Sequence, residues 1–413
     1  MQSGIVLCLG MVRRGECESL QKRGLRLGIL VDTNNEQRLA DVSEFVVVER
    51  FDFSRPVEEL IAAVRGVQQR WPIACLYNMN ELYVAPAADV AAALGFANIS
   101  PDAARLCLDK NLMRQRFQER LGLGIAARFQ AIKSEADLIL AANAFGYPVF
   151  LQPTNVSASM WSTCNDNLEM LQANYRIMRD ELPAHYVKLG QKSKKVGVVA
   201  AEFLEGKNAS IDCVMDAAGA VYSTPVVDVL TGRDIDINDF HHFARIVPSR
   251  LSESEQTELQ RLTIAGVQAL DMTSCAAHVE FIGSRLGEIA ARPGGNRPRI
   301  LELAFGIDEL YAYYQALTGQ PPDLRPAYKK SAAIVSPFPS KKGTLRAIRH
   351  LNEVPHLPGY LYHEVRAQPG KSVGLAKNGY RAPLYIELLA DDEAVVRRGV
   401  DQIANWSDLY DVE

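Results

Sequence analysis

Most of the features that announce a chemistry are missing from this chain. None of its seven cysteines forms a CxxC pair or falls at metal-ligand spacing. Cys8, Cys17, Cys75, Cys107, Cys164, Cys213 and Cys275 are scattered, most of them in apolar runs, which suits reduced, buried thiols of a cytoplasmic protein. No apolar run reaches the ~18 residues needed to cross a bilayer. Met1 to Leu9 is apolar but short and has no basic flank, so a first strand is expected there and not a signal peptide. Positive charge is not in excess: 45 Lys and Arg stand against 49 Asp and Glu, for a net charge of -4. That balance argues against nucleic acid and anionic membranes as partners. Leu9-Gly10-Met11 after the first apolar run is not GxGxxG, so the dinucleotide fingerprint is absent. No Ser/His/Asp or Cys/His set is visible. His241-His242 has no carboxylate or cysteine at ligand spacing and is expected in a loop.

What is present is a long chain of ordinary globular composition. Its 413 residues exceed one core, so two or three domains are expected. Up to about residue 100, continuous apolar strands alternate with helix patterns (Gly4–Gly10, Leu27–Asp32, Glu44–Val48, Ile73–Tyr77), the signature of a parallel α/β sheet. Helices are expected over Ala85–Leu94 and Ala103–Leu121, with Ser100-Pro101 as N-cap and first helical residue. After Gly122 the texture becomes α+β. Strands are expected at Gly146–Leu151, Val196–Glu202, Ala209–Val214 and Ala220–Val229, and helices at Asn167–Arg179 and Ser252–Leu270. Beyond Pro321 short strands return at Ala332–Val335, Gly359–Val365 and Ala382–Leu389, before a last helix from Asp391 to about Trp406.

Two short segments carry most of the chemical information. Ala277–Ile282 and Gly287–Gly295 read as strands joined by a polar turn with Gly283 and Ser284. Each holds one carboxylate, Glu280 and Glu288, in an apolar pattern. A strand pair can put both on one face, with Cβ atoms roughly 4.5–5.5 Å apart. Two such carboxylates repel unless a cation sits between them, and oxygen-only ligands suit Mg²⁺, which shares its shell with waters and phosphates. Arg292 follows, before Pro293-Gly294-Gly295. A charged hairpin at a sheet edge accounts for the same pattern.

Other segments are suggestive only in combination. Lys110 stands after Asp109 at a helix start, where the dipole favours anions. Gln152-Pro153-Thr154-Asn155 closes a strand, and Ser157, Ser159 and Ser162 follow it. Val199–Gly206 is a strand running into an extended segment, which can pair its backbone with an adenine edge. Glu202 or Glu205 could meet the exocyclic amine or the ribose. Lys192–Lys195, Asn296, Arg297 and Arg299 are candidates for substrate carboxylates.

The order of these motifs resembles the ATP-grasp superfamily. The resemblance runs from an α/β pre-domain with Glu81 through Asp109-Lys110, Gly146-Tyr147-Pro148, Glu202-Phe203-Leu204-Glu205-Gly206, Glu280 and Glu288-Ile289-Ala290-Ala291-Arg292-Pro293-Gly294-Gly295. Within the superfamily the chain is most similar to carboxylate–amine ligases that make dipeptides and related amides, often in natural-product pathways. Lys342-Gly343-Thr344, Leu357-Pro358-Gly359 and Pro369-Gly370 are similar to their C-terminal lobe. The resemblance implies an ATP-grasp fold, mixed α/β and α+β. Its parts would be an α/β pre-domain (1–100), an ATP-grasp domain (101–325, divided at 200) and a C-terminal lobe (326–413). It also implies roles. Lys110 would touch ATP phosphates, Ala201, Glu202, Phe203 and Leu204 would hold adenine, and Glu205 would lie near the ribose. Glu280 and Glu288 would bind Mg²⁺ or Mn²⁺, and Arg292 would steady the transferred phosphoryl group and the oxyanion. Gln152 stands where the family usually has a second ATP lysine, and Ala290 where many members have an asparagine ligand. The implied reaction activates a carboxylate as an acyl phosphate for attack by an amine. Loading of an amino acid onto a carrier-protein thiol, a non-catalytic binder on the same fold, and a homodimer stay open.

Overall fold

The structure is a computed structural model that describes residues 4–12, 17–36, 42–43, 45–156, 159–191 and 194–413. Four parallel strands form the first sheet, in the order Val47–Phe51, Leu27–Asp32, Ile5–Gly10, Ile73–Tyr77. The two central strands are buried along their whole length, as expected of a sheet covered on both faces. Alternate residues feed different cores. Ile5, Leu7 and Leu9 pack with Leu60, Val64 and Val67 of the Val57–Arg70 helix. Val6 and Cys8 join the largest cluster, which continues into Ile211, Val279 and Ile289. The expected third strand begins later, at Val47, and Glu44 lies outside the described residues, as do Met1 to Ser3.

A four-stranded antiparallel sheet follows, ordered Phe129–Ile132, Val198–Glu202, Val149–Pro153, Thr163–Asn165. A large antiparallel sheet carries the candidate hairpin at one edge. Its order is Arg285–Ala290, Cys275–Ile282, Asn208–Met215, Val227–Thr231, His242–Val247, Ser331–Val335, Leu384–Ala390, Tyr360–Val365. A small sheet of Ser372–Val373, Gly343–Ile348 and Tyr410–Val412 sits near the C-terminus.

Two helical expectations change. The stretch Ala103–Leu121 is not one helix but two, Pro101–Leu108 and Lys110–Leu121. Asp109 is extended between them, and its carboxylate accepts from the N–H groups of Asn111 and Leu112. Aspartate favours capping over a helix interior, and the break sets Lys110 in the first turn of the second helix. The helix expected to end near Arg179 instead runs over Leu168–Lys188, carrying Pro183 inside it. Of His241-His242, expected in a loop, only His241 lies outside regular structure: the His242–Val247 strand starts at the second histidine, which faces the candidate site.

Candidate functional site

Strand periodicity builds one wall of the site. In the register of the large sheet Glu280 stands opposite Glu288 on one side and Ser210 on the other, while His278 stands opposite Ala290 and Asp212. Cross-strand partners and residues two apart share a face. Ser210, Asp212, His278, Glu280 and Glu288 therefore share one face, while Ala209, Ile211, Cys213, Ala277, Val279 and Ile289 on the other belong to the main core.

The opposite wall comes from the Lys110–Leu121 helix and the Val149–Pro153 strand. The buried residues of that helix are Lys110, Met113, Arg114 and Phe117, the i, i+3, i+4, i+7 stripe of one face. It docks on the hairpin: the Met113 Sδ accepts from Ile289 N at 3.4 Å, and Lys110 Nζ donates to Glu288 Oε1 at 3.0 Å and to Val156 O at 3.1 Å. Between the walls lies an inner cavity of about 120 Å³. Lys110, Gln152, Glu280 and Glu288 all line it. An open cleft of about 490 Å³, lined by Glu202–Glu205 and Ile282–Arg285, adjoins it through Ile282, which borders both.

The charges are coupled. Burial pushes the Glu288 carboxyl up, and the neighbouring Glu81 and Glu280 add to the push against the pull of Lys110. Burial works against ionisation of Glu280 too, but the His278 hydrogen bond and the positive charges around it, Arg297 among them, together outweigh it and hold the carboxyl well below the usual range. His278 bridges two carboxylates, with Nδ1 2.6 Å from Asp212 Oδ1 and Nε2 3.1 Å from Glu280 Oε1. Gly294 N–H donates to the other Asp212 oxygen at 2.5 Å. A side chain at Gly294 would meet His278 Nδ1 at 2.5 Å, so the close approach requires glycine there. His242 lies 3.6 Å from Glu280, and burial keeps its imidazole neutral by lowering its pKa far below the usual value.

Arg292 does not line the cavity; it follows the second strand of the hairpin and pairs with Glu81. Its Nη2 donates to Glu81 Oε2 at 3.3 Å and its Nη1 to Pro293 O at 2.9 Å. Burial opposes its charge, but Glu81, Glu280, Glu288 and Asp212 together overcome that and raise its pKa. Ala290 is buried beside the pair and offers only a methyl group.

The hinge is shorter than its motif. Ala201 pairs with Phe129 on one side and Phe150 on the other, and Glu202 N–H donates to Arg128 O. The Glu202 carboxylate is held by Arg128 at 2.6 Å and Arg285 at 3.3 Å. The ladder thus occupies Ala201 and Glu202, leaving Phe203, Leu204 and exposed Glu205 along the cleft. Among the other candidates, Lys194 Nζ donates to Asn155 O at 2.7 Å, whereas Lys192 and Ser157 lie outside the described residues. Arg297 is buried, donating to Ser210 Oγ at 2.9 Å, and Arg299 is turned away into a two-pronged pair with Glu387.

Sequence reading missed Asp212, His242 and Arg114. The alternation Asn208, Ser210, Asp212 is a polar period of two that marks Asp212 as facing the same way as Glu280. Arg114 had only its place one turn beyond Lys110 as a signal.

Residues 145–294 match the model of the ATP-grasp domain family. The whole chain superposes on an L-amino acid ligase from Bacillus licheniformis with a TM-score of 0.81 at 17% identity, covering 100% of this chain and 99% of the other. The chain has the ATP-grasp fold. An ADP complex of N5-carboxyaminoimidazole ribonucleotide synthetase has the same fold, with a TM-score of 0.71, 13% identity and 98% coverage of both chains. Among curated relatives, an alanine–anticapsin ligase from Bacillus amyloliquefaciens is 23% identical over 299 residues, which is 68% of this chain and 62% of the relative. One from Bacillus subtilis is 24% identical over 272 residues, covering 62% and 56%. The chain thus matches somewhat more than half the length of these relatives. ATP-grasp proteins with these names support the resemblance to carboxylate–amine ligases. No helix among the described residues is long and apolar enough to cross a membrane.

Proposed function

We propose that this chain is an ATP-dependent ligase that activates a carboxylate as an acyl phosphate and joins it to an amine, with amino acids as substrates. The observation that carries this reading is the pairing of Glu280 with Glu288 across the hairpin, with Lys110 on Glu288 in the same cavity. The names of the relatives, alanine–anticapsin ligase and L-amino acid ligase, support amino-acid substrates.

The residues fit ATP with Mg²⁺. Among the described residues no cluster of three or more His, Cys, Asp or Glu forms a complete metal cage. Two carboxylates suffice for an ion that keeps waters and takes its remaining ligands from phosphate oxygens. The mutual push between half-buried Glu280 and Glu288 is what a dication relieves. When bound, the metal would neutralise phosphate charge during transfer.

The protein's own groups supply the rest. Phe203, Leu204 and Glu205 border the cleft that suits the adenosine half of a nucleotide, and Lys110 and Gln152 border the cavity that suits its phosphates. His278, tethered to Asp212, fixes one Glu280 oxygen and so orients the other. Arg292 stands near enough to raise local positive potential where an anionic transition state forms, and its partner Glu81 ties residues 1–100 to the site. In this reading residues 101–325 form the nucleotide-grasping unit and 326–413 the C-terminal lobe. Such a transfer is driven mainly by positioning and charge neutralisation.

The test is release of ADP and phosphate from ATP in the presence of an amino-acid panel, with and without Mg²⁺. Release that needs both an amino-acid pair and Mg²⁺ is expected. Tight Mg-nucleotide binding with no turnover on any pair would replace the ligase by a non-catalytic binder.

A further inference from the structure

One cation that lines the inner cavity has a buried N–H group that nothing in the described protein answers. Lys110 is paired with Glu288, and Gln152 carries no charge. Arg114 also lines the cavity. It is only 6% exposed, and its Nη1 is buried without a hydrogen-bond partner among the described residues. Burial lowers its pKa to about 10 against the weak support of Glu288. A buried guanidinium nitrogen without a hydrogen-bond partner is costly, and such groups persist where something else completes them. The surroundings say what that is. Arg114 stands one helical turn beyond Lys110 on the same face, and Gln152, Ser159 and Ser162 line the same space. Two cations, an amide and two hydroxyls make a donor-rich pocket suited to a group with many acceptor oxygens.

We infer that Arg114 is a phosphate-binding residue, giving the outer phosphates of the nucleotide the second cationic contact that the neutral Gln152 does not provide. This rests on the ATP reading of the cavity. The guanidinium pairs with a β- or γ-phosphate oxygen while Lys110 remains shared with Glu288. It deals with the charge of the phosphates and not with the adenosine half, which lies towards the cleft along Phe203–Glu205.

The test is calorimetric titration of the full-length protein with a Mg²⁺-bound non-hydrolysable ATP analogue and, separately, with AMP. The proteins are wild type, Arg114→Lys, Arg114→Gln and the double variant Arg114→Gln/Gln152→Lys. Loss of one charge-assisted contact should weaken the analogue by about tenfold or more in Arg114→Gln. AMP, which lacks the outer phosphates, should weaken by less than about threefold, the size of a contact that is not made. Arg114→Lys should keep most of the affinity. Adding Gln152→Lys to Arg114→Gln should recover most of the loss, because the charge returns to the same cavity from the opposite wall. A merely structural arginine would not be rescued from there. Equal weakening of analogue and AMP, no weakening of either, or no recovery in the double variant overturns the assignment. Should Arg114→Gln not fold, a loss in Arg114→Lys that is as large for AMP as for the analogue overturns it too. If wild type binds the analogue and Arg114→Gln binds it equally well, only this inference falls. If wild type binds no nucleotide, the ligase reading falls with it.

Discussion

The two walls of the inner cavity are built on different principles. On the sheet wall each ionic group already has a partner in the chain: Asp212 holds His278 and Gly294 N–H, His278 holds Glu280, and Glu288 holds Lys110. On the opposite wall Arg114 is buried with an unmatched Nη1, and Gln152 is buried without charge. The sheet wall is locked by its own network, and its geometry is set before any ligand arrives. The opposite wall becomes fully satisfied only when an anion fills the space. The difference separates a part of the site that orients from a part that binds, and it predicts where a substitution will damage chemistry, fold or affinity.

The largest effect should come from removing the charge opposite Glu280. Glu288→Gln preserves shape and leaves an oxygen for Lys110, but not a metal-binding carboxylate. Amino-acid-dependent ADP release should fall to background, while the melt of the ligand-free protein stays within about 1 kcal/mol of wild type. A melt lowered well beyond that would make Glu288 a structural residue and weaken the contrast between the walls.

Breaking the network on the sheet wall should instead cost stability. Asp212→Ala leaves His278 buried without its main partner and frees Gly294 N–H. Removing one member of a buried pair costs about 3–5 kcal/mol. Denaturant unfolding measures it; a loss below about 1 kcal/mol would mean that the wall is not locked as described.

Arg292→Ala should act between these extremes. Its loss is expected to lower kcat by roughly 10²–10³-fold, with little change in nucleotide affinity measured by titration. Equal, small losses in both would remove its catalytic role and favour a binder.

The smallest effect concerns Glu309, next to Asp212. It is buried at 1% exposure, and burial together with the nearby Asp212 pushes its carboxyl well above the usual range. A raised carboxyl contributes stability below the ordinary glutamate value of about 4.3, and that contribution is lost as pH rises through the raised value. Wild type should therefore lose stability towards high pH relative to Glu309→Gln, whose amide does not titrate. Denaturant midpoints of both proteins across a pH series check it. A constant difference between them would mean that Glu309 is not held protonated.

The sequence by itself determined the local geometry of this site. An apolar strand pattern in Ala277–Ile282 and Gly287–Gly295 was enough to let Glu280 and Glu288 share one face, and the helix start at Asp109-Lys110 was legible although the break before it was not. Both follow from backbone periodicity and capping, which act over a few residues. The order of motifs, read as a resemblance, was enough for the fold. What the sequence left undecided was which side chains answer one another. His278 meets Asp212 across 66 positions, Lys110 meets Glu288 across 178, and Arg292 meets Glu81 across 211. The same holds for the hinge, where strand pairing on both sides of Ala201 removed half of an otherwise legible motif. Periodicity reports that a residue faces inward. Only the stacking of distant elements decides what it faces, and so only the tertiary structure could reveal that Arg114 lines the cavity with its Nη1 unpartnered among the described residues.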